Sequence, residues 1–440
     1  MKGRSLKMMD ASSHRVLRVG MVGLGMIFDE TYRPVFLNLA QHPLYSPATG
    51  PVAVRWTASA SRTGSRGERH LQQMAGLLPP FRNCKGEHAV KELLDSGVDA
   101  VCVATPDDRH YQTARSAILA GKHVLIEKPS VLSMDELDDL LSLAKEKGVL
   151  AKVVYHKLAD PDHKKLRTHY ADGVFKHVNN GYCSLLEPKS ISSSQFAEWI
   201  TGRNPGTYVA VHYIKLIDFS FGGHTTEAGW NLHRITANGQ RGLVGKPDGS
   251  TWDSCQLQIT YRYFDGREAA FDIHTSWVNP ENFPGYVEQE VQFRFDNAIW
   301  NAHQRKRGVE MAVEDRTPNQ LKNTPNYHYN GAFLEPWGKR SQRGYGLEVI
   351  QRFFEEVAWV EFGGTAEARG QRLQDMRKLN YNDLSADRNT VAIVQAMEAI
   401  LLEQSKGRHG CVVEVNSQKG GLVLLHPGRT EHKVLYGGKV

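Results

Sequence analysis

The stretch Arg18-Val-Gly-Met-Val-Gly23-Leu-Gly25-Met-Ile-Phe28 runs from a short apolar strand straight into two closely spaced glycines, and then into residues able to start a helix. Gly23 permits a tight turn, and Gly25 lets the backbone approach a pyrophosphate. That anion would sit at the helix amino end, where unpaired N–H groups and the helix dipole favour negative charge. The third small residue of a G-x-G-x-x-G/A pattern is missing, because Phe28 occupies its place. Met26 and Ile27 complete the loop. Taken alone, two glycines after a strand fit a structural turn as well as a nucleotide site, so the surroundings decide.

Those surroundings alternate between two periods. Arg18–Val22, Val52–Ala58, Ala100–Ala104, His123–Glu127 and Leu150–Tyr155 are short and apolar, as strands covered on both faces should be. Helical patterns lie between them. One places Leu137, Leu140, Leu141 and Ala144 on a single stripe, opens at Ser133 with Glu136 three residues on, and closes at Gly148. This cadence implies right-handed crossovers and an α/β fold with a doubly wound parallel sheet, which binds ligands beyond the carboxyl ends of its strands.

The composition agrees with this class. The 440 residues are 40% hydrophobic and 23% charged, with 54 basic against 48 acidic side chains, a formal charge of +6. That is a mildly basic globular chain with no long basic run, which argues against nucleic acid. Cys84, Cys102, Cys183, Cys255 and Cys411 form no CxxC pair, so neither a zinc site nor a disulfide framework is indicated, and a reducing compartment is expected. No HExxH or other close ligand cluster appears among the 19 histidines, so no metal is expected. No apolar run approaches the roughly 18 residues of a membrane span, and Arg15 and Arg18 interrupt any signal-peptide core. The expectation is a cytoplasmic protein.

The end of the second strand sorts nicotinamide cofactors. Here the chain reads Ala58-Ser-Ala-Ser61-Arg62-Thr-Gly64-Ser-Arg66, with no acid before Glu68. Arg62 and Arg66 can hold a 2′-phosphate by charge-assisted hydrogen bonds and Ser61 can add a donor, which favours NADP, with NAD as the alternative. The distance from the glycines exceeds the usual spacing of about 20 residues, so His42–Gly50 reads as an inserted loop.

Two further segments, Ala104-Thr105-Pro106-Asp-Asp-Arg-His110 and Ala120-Gly-Lys-His-Val-Leu-Ile-Glu127-Lys128-Pro129, resemble the Gfo/Idh/MocA family of oxidoreductases. The match is strong through about residue 160 and weaker beyond. It implies a Rossmann domain over residues 1–155, followed over 156–440 by an α+β domain with a large, mostly antiparallel open sheet that binds substrate and makes oligomer contacts. Lys128 matches the family's lysine beside nicotinamide and substrate hydroxyl; the bland reading is a solvated lysine before a helix. Glu127, Thr105, Pro106 and His110 match the wall of the cofactor site, His110 being also a plausible helix-start residue.

Downstream, Tyr155-His156-Lys157-Leu-Ala-Asp160 resembles the tract where a strand leaves the first domain, and both His156 and Lys157 are candidates to face the substrate. Gly206-Thr-Tyr208-Val-Ala-Val-His212-Tyr-Ile-Lys215-Leu-Ile-Asp218 resembles the family's D-x-x-x-H helix, with Tyr208 in place of the aspartate and Lys215 where another acid is frequent. Four residues apart, Tyr208 and His212 are expected on one helical face. An imidazole with an ordinary pKa of about 6.5 can accept a hydroxyl proton near neutrality, so His212 is the candidate general base or acid and Tyr208 its phenolic partner. An ordinary buried helix histidine is the competing reading. Lys157, Arg203 and Lys215 hint at an anionic substrate.

Cys255–Trp277 reads as a hairpin about Asp265-Gly266, Val287–Phe295 as a strand, and Asp387–Leu402 as a helix ending before Ser405. The tail from Gly420 reads as partly loose. Asn301–Gly308 is basic but lacks the aromatic interleaving of a nucleic-acid site. The resulting expectation is an NADP-dependent oxidoreductase, likewise served by NAD, acting on a secondary hydroxyl or ketone of a sugar, sugar acid or cyclitol. A homo-oligomer, dimer or tetramer, is implied by the resemblance. Two other readings stay open: a redox-neutral glycoside-cleaving relative, and a non-catalytic dinucleotide-binding regulator.

Overall fold

The computed structural model describes residues 15–192, 200–222, 229–244, 251–280, 287–303, 328–336, 338, 340–379, 381–416, 421–428 and 432–437. The first sheet holds seven strands: β1 (Arg15–Val22), β2 (Leu44–Ser46), β3 (Gly50–Ser61), β4 (Arg82–Lys85), β5 (Ala100–Val103), β6 (His123–Ile126) and β7 (Ala151–Val153). Their order is β2-β3-β1-β5-β6-β7, with β4 also on β3, and every pairing is parallel except β2 with β3. The expected inserted loop is therefore a short hairpin that lengthens β3 at its start.

Alternation along the strands divides two cores. Leu17, Val19, Met21, Val54 and Cys102 enter one, whereas Val22, Ala60, Val101, Val103 and Ile126 enter the other. Successive side chains of a strand point to opposite faces, so a strand apolar throughout must be covered on both sides. Helices α1 (Arg33–Gln41), α2 (Ser65–Gln73), α3 (Ala89–Asp95), α4 (His110–Leu119) and α5 (Met134–Lys147) follow the strands in turn. Ser133 caps α5 by accepting from Glu136 N, and Gly148 ends it with φ +62, as read from the sequence.

Beyond β7 come α6 (His156–Ala159), α7 (Pro161–Ala171), β8 (Val178–Pro188), α8 (Val211–Phe221), β9 (Trp230–Gln240), β10 (Ser254–Tyr263), β11 (Glu268–Asn279), β12 (Glu288–Phe295) and β13 (Ile299–His303). The remaining elements are β14 (Gly331–Leu334), β15 (Arg340–Arg343), α9 (Tyr345–Phe362), α10 (Arg369–Lys378), α11 (Arg388–Ser405), β16 (Val412–Asn416), β17 (Gly421–Leu425) and β18 (His432–Tyr436). A nine-stranded sheet runs β13-β12-β8-β11-β10-β9-β16-β17-β18, antiparallel except where β8 meets β11. The β10–β11 hairpin turns at Asp265-Gly266, with Gly266 at φ +87. Buried and exposed residues alternate along β10 and β11, so one face of this sheet lies on the core.

Three features differ from the sequence reading. Residues of α9 and α10, such as Ile350, Phe353, Phe354 and Leu373, pack against Leu17, Val19 and Val54, so the chain returns to cover the first sheet after crossing the second. The tail expected to be loose forms β17 and β18, because Leu422 and Leu424 are buried. Of the basic run 301–308, residues 304–308 lie outside the described residues.

Candidate active site

The glycine turn behaves as a cradle. Gly23 has φ +92, its N–H donates to Ala60 O at 3.1 Å, and a Cβ there would fall 2.2 Å from Ala104 O. Gly25 has open space: the nearest atom to a Cβ would be Arg66 Nη1 at 3.6 Å. Phe28 explains the missing small residue. It lies inside a π turn, Phe28–Tyr32, that precedes α1, and its ring is fully buried 5.0 Å from Trp56 and 4.9 Å from His70. The widened turn seats an aromatic side chain where a close helix–strand contact would demand glycine.

At the end of β3, Ser61 Oγ accepts from Gly64 N at 3.1 Å, while Arg62 and Arg66 are exposed. Arg66 arches back so that Nη1 is 3.5 Å from Leu24 O, beside the glycine turn. Thr105 Oγ1 is buried without a hydrogen-bond partner at the carboxyl end of β5, beside Pro106. Open backbone at Gly25, two exposed guanidiniums and an orphaned hydroxyl fit a dinucleotide. His110 has a different task. Its Nδ1 is 2.6 Å from Pro129 O and its Nε2 2.8 Å from Thr105 O, so the buried ring is wedged between the carbonyls of the two loops and donates to one of them when neutral.

Lys128 follows β6 directly, next to a cis Pro129. Its Nζ donates to Tyr208 O at 2.7 Å and sits 3.8 Å from the centre of the Tyr208 ring. Burial lowers its pKa, opposed by the charges of Glu127, Glu187 and Asp107. Glu127 accepts from Tyr32 Oη at 2.9 Å, and burial raises it to about 7 against the pull of Lys128.

Tyr208 and His212 do not share a plain α-helical face. Gly206–Ala210 form a π turn before α8, which widens the spacing between them. Tyr208 lies between Lys128 and Trp277, whose ring is 6.1 Å away. His212 is buried with Nδ1 unpartnered, and burial together with the charges of Lys128, His156 and Lys157 drives its pKa well below 6.5. It is therefore a neutral imidazole at neutrality. His156 is buried beside Tyr329, with neither ring nitrogen in a hydrogen bond of ordinary geometry; burial and then Lys128 lower it to about 3.

The basic residues read as an anion pocket are committed elsewhere. Lys215 is 1% exposed, donates to Ala386 O and lies 3.9 Å from Asp387, in the interior rather than facing a ligand. Lys157 donates to Gln289 and approaches Tyr345 Oη at 3.5 Å. Arg203 pairs with Asp107 at 3.3 Å and Asp108 at 2.7 Å. Conversely, the sequence reading passed over Glu187, a buried carboxyl at the end of β8 that feels Lys128. Met26, Tyr208 and Trp277 join one apolar cluster, so the glycine turn and the second sheet meet here. Among the described residues no group of three metal-ligating side chains occurs, and no helix is long and apolar enough to cross a membrane.

An open glycine turn after the first parallel strand, and a buried lysine after β6 in contact with Tyr208 of the second half, are features of a nicotinamide-oxidoreductase architecture. Residues 17–155 match the oxidoreductase family with an NAD-binding Rossmann fold, Gfo/Idh/MocA. D-xylose dehydrogenase of Paenarthrobacter nicotinovorans is 36% identical over 333 residues, 68% of this chain and 78% of that one. The chain belongs to the Gfo/Idh/MocA family. Five other curated relatives are matched over only 24% to 46% of their length, among them scyllo-inositol 2-dehydrogenase (NADP(+)) of Bacillus subtilis, 32% identical over 22% of this chain and 28% of that relative. An inositol dehydrogenase homologue of Azotobacter vinelandii, solved with NADH and myo-inositol, superposes with a TM-score of 0.60 over 91% of this chain and 98% of its own, at 18% identity. That likeness speaks for the fold.

Proposed function

We propose that this protein is an NADP-preferring oxidoreductase that interconverts a secondary hydroxyl and a ketone on a sugar, sugar acid or cyclitol. The observation that carries the reading is the contact of Lys128, from the first half, with Tyr208, four residues before His212 in the second half. Gly23, Gly25, Met26 and Ile27 would hold the pyrophosphate, Ser61, Arg62 and Arg66 the adenosine end, and Thr105, Pro106, Glu127 and Lys128 the nicotinamide end. His110 would shape that wall. A bound nicotinamide supplies the hydride chemistry.

The chain's own residues then handle the oxygen and its proton. Lys128, an ammonium partly stripped of water, steadies the reacting oxygen. His212, neutral because it is buried among cations, presents an acceptor lone pair to the hydroxyl proton and returns it in the reducing direction. Tyr208 fixes the ammonium through its carbonyl and ring, and His156 lines the same charge field. We place the enzyme in the cytoplasm as a homo-oligomer, supported by its five free buried cysteines and by the half-exposed face of β10 and β11.

The test is a nicotinamide absorbance assay on a polyol panel with wild type, Lys128→Met and His212→Ala. Positioned acid–base groups are typically worth about 10²- to 10⁴-fold, so kcat should drop by that order while dinucleotide affinity holds. Full turnover in both variants removes the mechanism. Dinucleotide binding with no turnover on any polyol favours the regulator reading.

A further inference from the structure

Resting on that reading, we propose that Glu187 selects the substrate: its carboxylate accepts hydrogen bonds from hydroxyls next to the reacting carbon, so the site takes neutral polyols and rejects carboxylated ones.

Glu187 is 7% exposed, and its Oε2 has no hydrogen-bond partner. A carboxyl oxygen buried without a donor is costly unless a ligand supplies one. The group stands at the last turn of β8, where Asn279 of β11 pairs with Pro188 and Trp277 of the same strand lies alongside. Trp277 in turn contacts Tyr208, and Tyr208 carries Lys128. Glu187 and Lys128 therefore lie within Coulomb range on either side of Tyr208 and Trp277 without touching: among the described residues they form no ion pair within 4.0 Å. Burial raises the Glu187 carboxyl to about 7, partly offset by Lys128 and by the neighbouring Trp277 indole N–H, and hydroxyls donating to Oε2 would draw it further into the ionised form.

Charge balance excludes an anionic substrate. Arg203 is neutralised by Asp107 and Asp108, Lys215 by Asp387, and Lys157 is turned to Gln289 and Tyr345. A substrate carboxylate beside Glu187 would leave Lys128 to balance both groups, and like charges in a buried site disfavour one another. Hydroxyls, in contrast, donate to Oε2 and leave it satisfied.

The experiment compares kcat and KM on D-xylose, myo-inositol and D-glucuronate for wild type, Glu187→Gln and Lys128→Met, with dinucleotide binding followed by nicotinamide fluorescence. Wild type should favour the better neutral substrate over D-glucuronate by at least about tenfold in kcat/KM. Glu187→Gln should raise KM on that neutral substrate by about 10- to 100-fold, the usual worth of hydrogen bonds to a charged group. It should also narrow the gap to D-glucuronate and leave dinucleotide affinity unchanged. A wild-type preference for D-glucuronate overturns the proposal even if the variant fails to fold. Unchanged KM and selectivity in Glu187→Gln, with Lys128→Met inactive, overturns it while the oxidoreductase reading stands. No turnover of any of the three by wild type that binds dinucleotide removes both.

Discussion

Two alanine substitutions, two residues apart in sequence, separate folding from cofactor binding. At Gly23 the backbone is left-handed, φ +92, and an added Cβ would lie 2.2 Å from Ala104 O and 2.7 Å from Ala104 C. A left-handed conformation costs a non-glycine residue about 1–2 kcal/mol, and forced overpacking about 1–3 kcal/mol more. The obstructing backbone cannot yield cheaply. Ala104 N donates to Val22 O at 2.8 Å, and Thr105 O is held by His110 at 2.8 Å. Gly23→Ala should therefore destabilise the protein by roughly 2–5 kcal/mol. At Gly25 no such conflict exists, since the nearest atom to a Cβ is the tip of Arg66 at 3.6 Å. Gly25→Ala should stay within about 0.5 kcal/mol of wild type in stability. It should nonetheless lose dinucleotide affinity by about 10- to 100-fold, because the methyl occupies the surface reserved for the pyrophosphate. Urea unfolding followed by tryptophan fluorescence measures the first quantity and a nicotinamide fluorescence titration the second. Wild-type affinity in a folded Gly25→Ala protein would refute the assignment of the pyrophosphate to this turn, and wild-type stability in Gly23→Ala would refute the steric argument.

Two other outcomes follow from single side chains. Arg62→Ala should reduce affinity for NADP by about tenfold, the worth of one charge-assisted contact, and leave NAD nearly unchanged; equal losses on both cofactors in parallel titrations would remove Arg62 from the 2′-phosphate. Lys152 is fully buried 3.3 Å from Glu356 and 3.5 Å from Asp383, at the seam between β7 and the returning helices. Lys152→Met strands two buried carboxylates and should cost roughly 3–5 kcal/mol in urea unfolding, whereas a change below about 1 kcal/mol would show that water or protonation already relieves them.

The centre of the first sheet was readable because the buried runs of β1, β5 and β6 are apolar on both faces, and that pattern has few physical interpretations. The same logic could not reveal α9. Its stripe of Val349, Ile350, Phe353, Phe354 and Val357 states that the helix is buried but not against what, and only the fold brings it to Leu17 and Val19. Spacing misled in two places, and both are π turns. The pattern through Phe28 looks like a damaged glycine motif when counted in α-helical turns, as the pair Tyr208 and His212 looks like one face. An extra residue in a turn leaves no trace in residue types, so a rule of 3.6 fails there.

Charge was the hardest property to read, because lysines and glutamates look alike whether solvated or buried. Lys215 sits three places after His212 in a helix that is buried on nearly every side, so its ammonium must find Ala386 and Asp387 inside the protein rather than a ligand. Glu187 precedes a proline at the end of a strand, a setting in which an acid usually faces water. Pairing β8 to β11 removes that option, since Trp277 is fully buried and arrives from the neighbouring strand to cover the carboxyl. A cation expected at the ligand thus turns inward, and a carboxyl that the sequence reading passed over is buried within the field of Lys128. Which charges lie buried near Lys128 follows from strand register, a long-range property that residue types along the chain do not carry.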